Sequence, residues 1–256
     1  MVGTIEQTEQ VGLEIESYAR SLGAEIYGVA SAALYEETFP RKPAPSKFVP
    51  GAKSVIIVGL PFSRTIMDTV AAPQMADIFQ SGAERTAGDG RHSDSPPAGA
   101  ERFYHGPENE MLTHEISMIG YKLSRKLTDD GYKSFYLPDT KTEPRFKTAP
   151  FYFMPAMYVA GMGQLGMNCA IINPKYGPRF RVTAIITDLE LPAGVPMEEM
   201  KYADCTTCKE CIRRCPSRAI DGRYWKNVFK CSDYGCSATC LSVCPAGDDG
   251  HPIPVR

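Results

Sequence analysis

Cys205-Thr206-Thr207-Cys208-Lys209-Glu210-Cys211-Ile212-Arg213-Arg214-Cys215-Pro216, followed by Cys231-x4-Cys236-x3-Cys240-x3-Cys244-Pro245, holds eight of the nine cysteines of the chain. Three thiolates spaced C-x2-C-x2-C can grip three corners of an iron-sulfur cubane, while a fourth cysteine three residues on, before a proline, points to a second cluster. The first run therefore implies a partner, and the second run supplies it with altered spacing. If the fourth cysteine of each run crosses over, one 4Fe-4S cluster takes Cys205, Cys208, Cys211 and Cys244. The other takes Cys215, Cys231, Cys236 and Cys240, and every cysteine of the region is used.

Structural zinc and a disulfide framework are the competing readings. Tetrahedral zinc wants two well-separated pairs of ligands, whereas the first run crowds four thiols and adds the proline of cluster ferredoxins. Disulfides need an oxidising compartment. The start Met1-Val2-Gly3-Thr4-Ile5-Glu6-Gln7 has no basic region, no apolar region and no twin arginine, so the expected location is the cytoplasm.

A length of 256 residues suits a body of residues 1–199, a cluster module over 200–247 and a short tail, 248–256. With 28 basic and 30 acidic side chains the net charge is -2, and the signs are mixed along the chain. That balance argues against a nucleic-acid surface, and no apolar run reaches the roughly 18 residues of a membrane span. No period of 20–50 residues repeats apart from the two cysteine runs.

Apolar spacing predicts a helix over residues 5–22 and another from Glu110 to about Asp130, each stopped by glycine, Gly23 and Gly131. Short β-rich runs at Ile26–Ala30 and Ser54–Leu60 read as central strands, the second buried on both faces. Tyr132–Leu137 and Arg181–Thr187 read as further strands and Tyr152–Ala160 as an apolar helix. The alternation predicts an α/β or α+β class with helices covering a sheet. Residues 81–100 are too rich in Gly, Ser, Pro and charge to pack, and read as a long loop, either a lid or plain disorder. His92 and His105, in or near it, read as solvated.

Gly161-Met162-Gly163-Gln164-Leu165-Gly166 fits G-x-G-x-x-G, but a dinucleotide fingerprint follows a strand and opens a helix. Here a helix precedes it, and Pro174, Gly177 and Pro178 follow. In isolation the stretch reads as a helix C-cap and a turn; glycines also let backbone approach a large flat ligand.

The order of this glycine turn, Pro174-x-Tyr176-Gly177-Pro178-Arg179-x-Arg181, Thr187-Asp188-Leu189 and the two cysteine runs resembles the cobalamin-dependent reductive dehalogenases and the wider group that includes epoxyqueuosine reductase. The match covers about residues 150–247. It implies a nitroreductase-like body that holds a corrinoid (cobalamin), a C-terminal ferredoxin-like module with two 4Fe-4S clusters, and a low-potential donor of ferredoxin or flavodoxin type. It further implies Gly161, Gly163, Gly166, Asn173, Tyr176 and Gly177 as corrin contacts. Arg179 corresponds to the basic residue of the family motif, a stabiliser of substrate or leaving anion, with a structural salt bridge as its plainer role. Tyr121, Tyr152 and Tyr158 are available as the family's tyrosine proton donor. The chain departs from the family in lacking a carboxylate in the Phe146–Tyr152 stretch ahead of the turn; Asp139 stands out of register. Cys169 reads as a small buried residue beside the turn.

The implied function is a corrinoid-dependent reductase acting on a small molecule with a carbon-halogen or other reducible bond. Its alternatives are a corrinoid-binding or reactivating protein and a ferredoxin-like electron carrier. A second copy of the chain is a candidate partner, to cover the cluster face.

Overall fold

The computed structural model describes residues 5–71, 102–138, 145, 149–234 and 238–247. The expectations for 81–100, His92, Asp139, Cys236 and the tail fall outside them, as does the side chain of His105. Its centre is a four-stranded sheet in the order β1 (Ile26–Ser31), β2 (Ser54–Pro61), β6 (Phe180–Thr187) and β3 (Ser134–Leu137). Every pairing is antiparallel, so helices and strands alternate along a mixed α/β chain without a parallel pair among the described strands.

The sheet is buried on both faces because helices cover each. Alternate residues of a strand point to opposite sides. Val55 and Ile57 of β2 therefore join one core with Tyr35 of α2 (Ala32–Thr38) and with Ala156, Met157 and Val159 of α5 (Phe153–Val159). Ile56, Val58 and Leu60 join the opposite core with Ile15 and Ala19 of α1 (Ile5–Ser21) and Ile116, Ile119 and Leu123 of α4 (Arg102–Asp129). The helix read from Glu110 starts eight residues earlier, at Arg102, and runs through Pro107. An internal proline costs a hydrogen bond, which is why the sequence signal begins only after it.

Strand β1 differs from its reading as a central strand. It has one neighbour, β2, and stands at the edge of the sheet among the described strands. Its apolar residues are explained by cover from both layers. A Cβ at Gly28 would stand 2.7 Å from Met162 Sδ, so the turn after α5 lies directly on this edge.

The cysteine segment packs on the first half of α3 (Arg64–Ala71) and the residues before it, where Met67 and Phe62 meet Ala238. The Ser242 hydroxyl donates to the Met67 carbonyl there. Ile57 is fully buried between strands and α5, so Ile57→Ala should lower unfolding stability by about 2–5 kcal/mol. Leu13, 64% exposed on α1, should tolerate alanine within ~0.5 kcal/mol. Chemical denaturation of the two variants checks the difference.

Candidate functional site

Cys205–Cys208 (α6) and Glu210–Arg213 (α7) are single helical turns separated by Lys209, whose φ of 54° is left-handed. L-residues rarely take that conformation, and here it reverses the chain within the C-x2-C-x2-C run. The result is a recess lined by Cys205, Cys208, Cys211 and Cys244 together with Asn168 and Lys209. Burial first, then the nearby Cys205, Cys244 and Cys208 groups, push the Cys211 thiol up to about 12. Burial likewise raises Cys244 to about 11 against the opposing pull of its hydrogen bond to the Ala246 amide and of the Arg179 guanidinium. Burial also raises Cys205, so three thiols of this recess resist ionising together unless a cationic centre compensates them. Among the described residues, no three His, Cys, Asp or Glu side chains converge on a single-ion site.

The described end of the second run repeats the left-handed joint and single turn. Ala238 (φ 56°) precedes Thr239–Ser242 (α9) as Lys209 precedes α7. Cys240 occupies the second position of its turn, as Cys211 does. In both, a cysteine-proline pair follows, Cys215-Pro216 and Cys244-Pro245. Cys231 lies on α8 (Val228–Tyr234). Cys215 and Cys240 both pack against the small core of Met167, Cys211, Ile220 and Val243. Burial works against ionisation of Cys215, but the Ser217 hydroxyl and the amides of Ala219, Ile220 and Ser217 outweigh it and lower the thiol. Amides aimed at a sulfur suit an anionic thiolate ligand.

Three consecutive residues join this region to a cleft in the body. The Met167 amide donates to Cys205 Sγ at 3.5 Å. Asn168, nearly fully buried, lines the cysteine recess and donates from Nδ2 to the Cys240 carbonyl at 3.2 Å. Cys169, left-handed at φ 58°, lines the cleft. The cleft has a volume of about 560 Å³. Its walls are Phe39, Tyr152 and Tyr158 on the body side and Tyr224 and Trp225 from the cysteine segment, with Met154, Leu165, Ile171 and Met200 at its base and Lys42 and Lys226 as its charges.

Of the tyrosines offered as proton donors, Tyr152 and Tyr158 line this cleft. Lys42 Nζ stands 4.3 Å from the centre of the Tyr152 ring, and Tyr158 donates its hydroxyl proton to the Met197 carbonyl at 2.9 Å. Tyr121 stands on α4, exposed in a separate groove with Tyr18 and Arg125. Arg179 does not line the cleft. It is buried at the seam, donating to the carbonyls of Cys244 at 2.7 Å and Ala246 at 3.0 Å.

The six residues offered as corrin contacts also lie behind the cleft wall. Gly161 (φ 69°) closes α5: its amide reaches the Tyr158 carbonyl and the Met162 amide the Met157 carbonyl, a helix C-cap. A Cβ on it would collide with the Val195 carbonyl, and a Cβ on Gly177 (φ 57°) with the Ala246 carbonyl. Gly163 and Gly166 abut Ile172. Asn173 holds the turn, its Oδ1 accepting from the Lys175 and Tyr176 amides at 3.0 and 3.1 Å and its Nδ2 donating to Met162 O at 2.8 Å. Tyr176 packs on the core beside it. No dinucleotide geometry follows the glycines, only the two-stranded β4 (Gln164–Leu165) and β5 (Ile171–Ile172).

The sequence reading missed Lys42, Phe39, Tyr224 and Lys226 as cleft residues. Phe39 and Lys42 come from more than a hundred residues upstream of the wall they complete, and spacing carries no trace of that juxtaposition. Trp225 had a signal: it is the sole tryptophan and stands six residues before a cysteine ligand candidate.

Fold and site define a mixed α/β body whose C-terminal cysteine segment closes one wall of an aromatic cleft. No protein-family model matches the chain. Tetrachloroethene reductive dehalogenase of Sulfurospirillum multivorans is 34% identical over 108 residues, which span 34% of this chain and 22% of that protein. Epoxyqueuosine reductase of Bacillus subtilis (strain 168) is 23% identical over 96% of this chain and 66% of its own length. Among solved structures, an epoxyqueuosine reductase in complex with a tRNA-Tyr stem loop superposes with a TM-score of 0.59 at 18% identity, covering 96% of this chain and 68% of that one. A catabolic reductive dehalogenase in complex with 3-bromo-4-hydroxybenzoic acid gives 0.62 at 18%, covering 95% and 32%. The chain is related to the wider group that unites reductive dehalogenases and epoxyqueuosine reductases, and it spans between about a fifth and two thirds of those relatives' lengths. Among the described residues no helix is long and apolar enough to cross a membrane.

Arg179→Met would strand two carbonyls that now accept from a buried guanidinium. It should cost about 2–4 kcal/mol of stability, with Arg179→Lys recovering part. Denaturant midpoints of the two variants read this out; an unchanged midpoint for the methionine variant would show that the seam does not depend on the guanidinium.

Proposed function

We propose that the chain is a corrinoid-dependent reductase in which two 4Fe-4S clusters pass electrons toward a corrinoid seated in the aromatic cleft. The observation that carries this reading is the Met167-Asn168-Cys169 turn, which touches the four-cysteine recess on one side and the cleft on the other. In this reading residues 1–199 form a nitroreductase-like body and 200–247 a ferredoxin-like module, with Cys205, Cys208, Cys211 and Cys244 on one cluster and Cys215, Cys231, Cys236 and Cys240 on the other.

The residues present fit such groups. Four thiols on one recess form the donor set of a cubane, and a long apolar cleft with aromatic walls suits a flat macrocycle. When bound, a corrinoid supplies a strongly reducing cobalt centre. The chain's own residues then position and enclose. Tyr158 is fixed by its bond to Met197, and Tyr152, whose ring lies against Lys42 in the cleft wall, is the hydroxyl left to hand a proton to a bound substrate. Trp225 and Tyr224 exclude water from the module side.

The substrate bond is a carbon-halogen or another reducible bond. Sequence similarity over 96% of the chain is to an epoxyqueuosine reductase, and a solved epoxyqueuosine reductase carries a tRNA stem loop, which challenges the expectation that nucleic acid is no partner. A tRNA-borne epoxide is therefore a second candidate beside a small organohalide.

Protein assembled anaerobically with iron, sulfide and cobalamin should contain about eight irons and one cobalt per chain, the count two cubanes and one corrinoid require. Eight irons without cobalt would leave an electron carrier and sink the reductase. Cys208→Ala should lose about half the iron; full retention would refute the ligand grouping.

A further inference from the structure

The cysteine segment differs in charge from the rest of the chain. Residues 200–247 hold eight basic and four acidic side chains, whereas the whole chain holds 28 and 30. The excess lies at the surface: Lys209, Arg213, Arg214, Arg218, Arg223 and Lys230 are all exposed. Glu210 is shared by Arg213 and Arg214, and Asp221 pairs with Arg223. Lys209, Arg218 and Lys230 form no ion pair among the described residues.

The same segment exposes apolar side chains, and the Asn227 amide donates to the Ala219 carbonyl at 2.8 Å, which brings Arg218 close to them. Trp225, Val228 and Phe229 are 54%, 37% and 48% exposed, running from the cleft rim onto α8. Ile212 of α7 lies 3.2 Å from where a Cβ on Gly222 would stand, so the α7 cations and the 223–230 segment belong to adjoining surface. Of the four recess thiols, Cys211 and Cys244 are buried, while Cys205 and Cys208 are partly exposed. The recess thus approaches solvent on its Cys205–Cys208 side, next to Lys209 and Arg213, whose guanidinium donates to the Cys208 carbonyl at 2.7 Å.

We propose that the surface of this segment carrying Arg218, Lys230 and the exposed Trp225 and Phe229 docks an acidic, low-potential one-electron carrier protein. The proposal rests on the reading of the cysteines as cluster ligands. Opposite charge steers encounter and orients the partner, and an exposed aromatic centre within a polar rim is the anatomy of a transient interface. Each encounter oxidises the carrier by one electron and reduces one cluster by one electron, with no atom transferred. An electron donor must come close to its acceptor, and Lys230 adjoins the partly exposed Cys231, a ligand of the second cluster in the proposed reading.

The test uses the full chain assembled with iron and sulfide, reduced in stopped flow by a reduced acidic ferredoxin and, separately, by photoreduced deazaflavin, a small neutral reductant. In the unaltered protein the ferredoxin rate should fall steeply as salt rises, while the deazaflavin rate stays flat; a ferredoxin rate indifferent to salt would overturn the proposal without any variant. The combined Arg218→Glu and Lys230→Glu protein should lose at least tenfold in the ferredoxin rate and keep its deazaflavin rate within about twofold. An unchanged ferredoxin rate in that variant, with weakened binding of an RNA stem loop, would reassign the surface to nucleic acid and overturn the proposal. Failure of deazaflavin to bleach any cluster absorption in the unaltered protein would instead remove the cluster reading on which the proposal stands.

Discussion

Backbone lies against backbone along the seam between body and cysteine segment, and the rest of the site depends on that contact. Position 177 meets the Ala246 carbonyl, position 247 meets the 175–177 backbone, and Arg179 ties the carbonyls of Cys244 and Ala246 from the same strand entry. Cys244 is thereby held at the body, although it is the last cysteine of the chain. Its thiol reaches the recess formed by three cysteines some thirty to forty residues earlier because β6 begins where that anchor sits. A side chain at Gly177 would push the segment away and open the recess from below.

The same contact explains the glycine stretch. Gly161 and Gly163 let the turn after α5 lie on the 195 and 172 backbones, which sets Leu165, Cys169 and Ile171 along the cleft while the glycines themselves face inward. They shape the wall by standing behind it. Sequence spacing showed that the dinucleotide fingerprint was out of context, but it could not show which surface the glycines served, because a missing side chain makes room equally for a ligand or for another strand.

Much of the fold was legible for a simple reason: β2, β6, α1 and the latter part of α4 carry apolar patterns of the period their structure requires. The described recess gathers Cys205, Cys208, Cys211 and Cys244, the set that spacing assigns to one cluster, and their role as ligands stays a proposal. What could not be read was set by distant pairing. The edge position of β1 depends on which strand lies beside it, and the cleft joins Phe39 and Lys42 to Trp225. Overall charge misled in a related way. A net value of -2 averages a basic segment with an acidic remainder, and an interface responds to the local field rather than to the sum.

The cysteine segment also has little else to hold it in shape. Its described core consists of Cys211, Ile220 and Val243 against Met167 from the body, and its helices α6, α7 and α9 are four residues each. Single turns of that length are not stable alone, and so small an apolar core calls for a staple. Raised thiols at Cys205, Cys211 and Cys244 mean that a metal centre must displace protons to bind, yet the left-handed joints at Lys209 and Ala238 already orient the turns toward their recesses. Body and metal would then share the work of folding: the seam fixes where the segment begins and ends, and iron bound to the thiols fixes what lies between. In the proposed reading such a segment would order together with its clusters, and the cleft wall that Tyr224 and Trp225 provide would be complete only once they are in place.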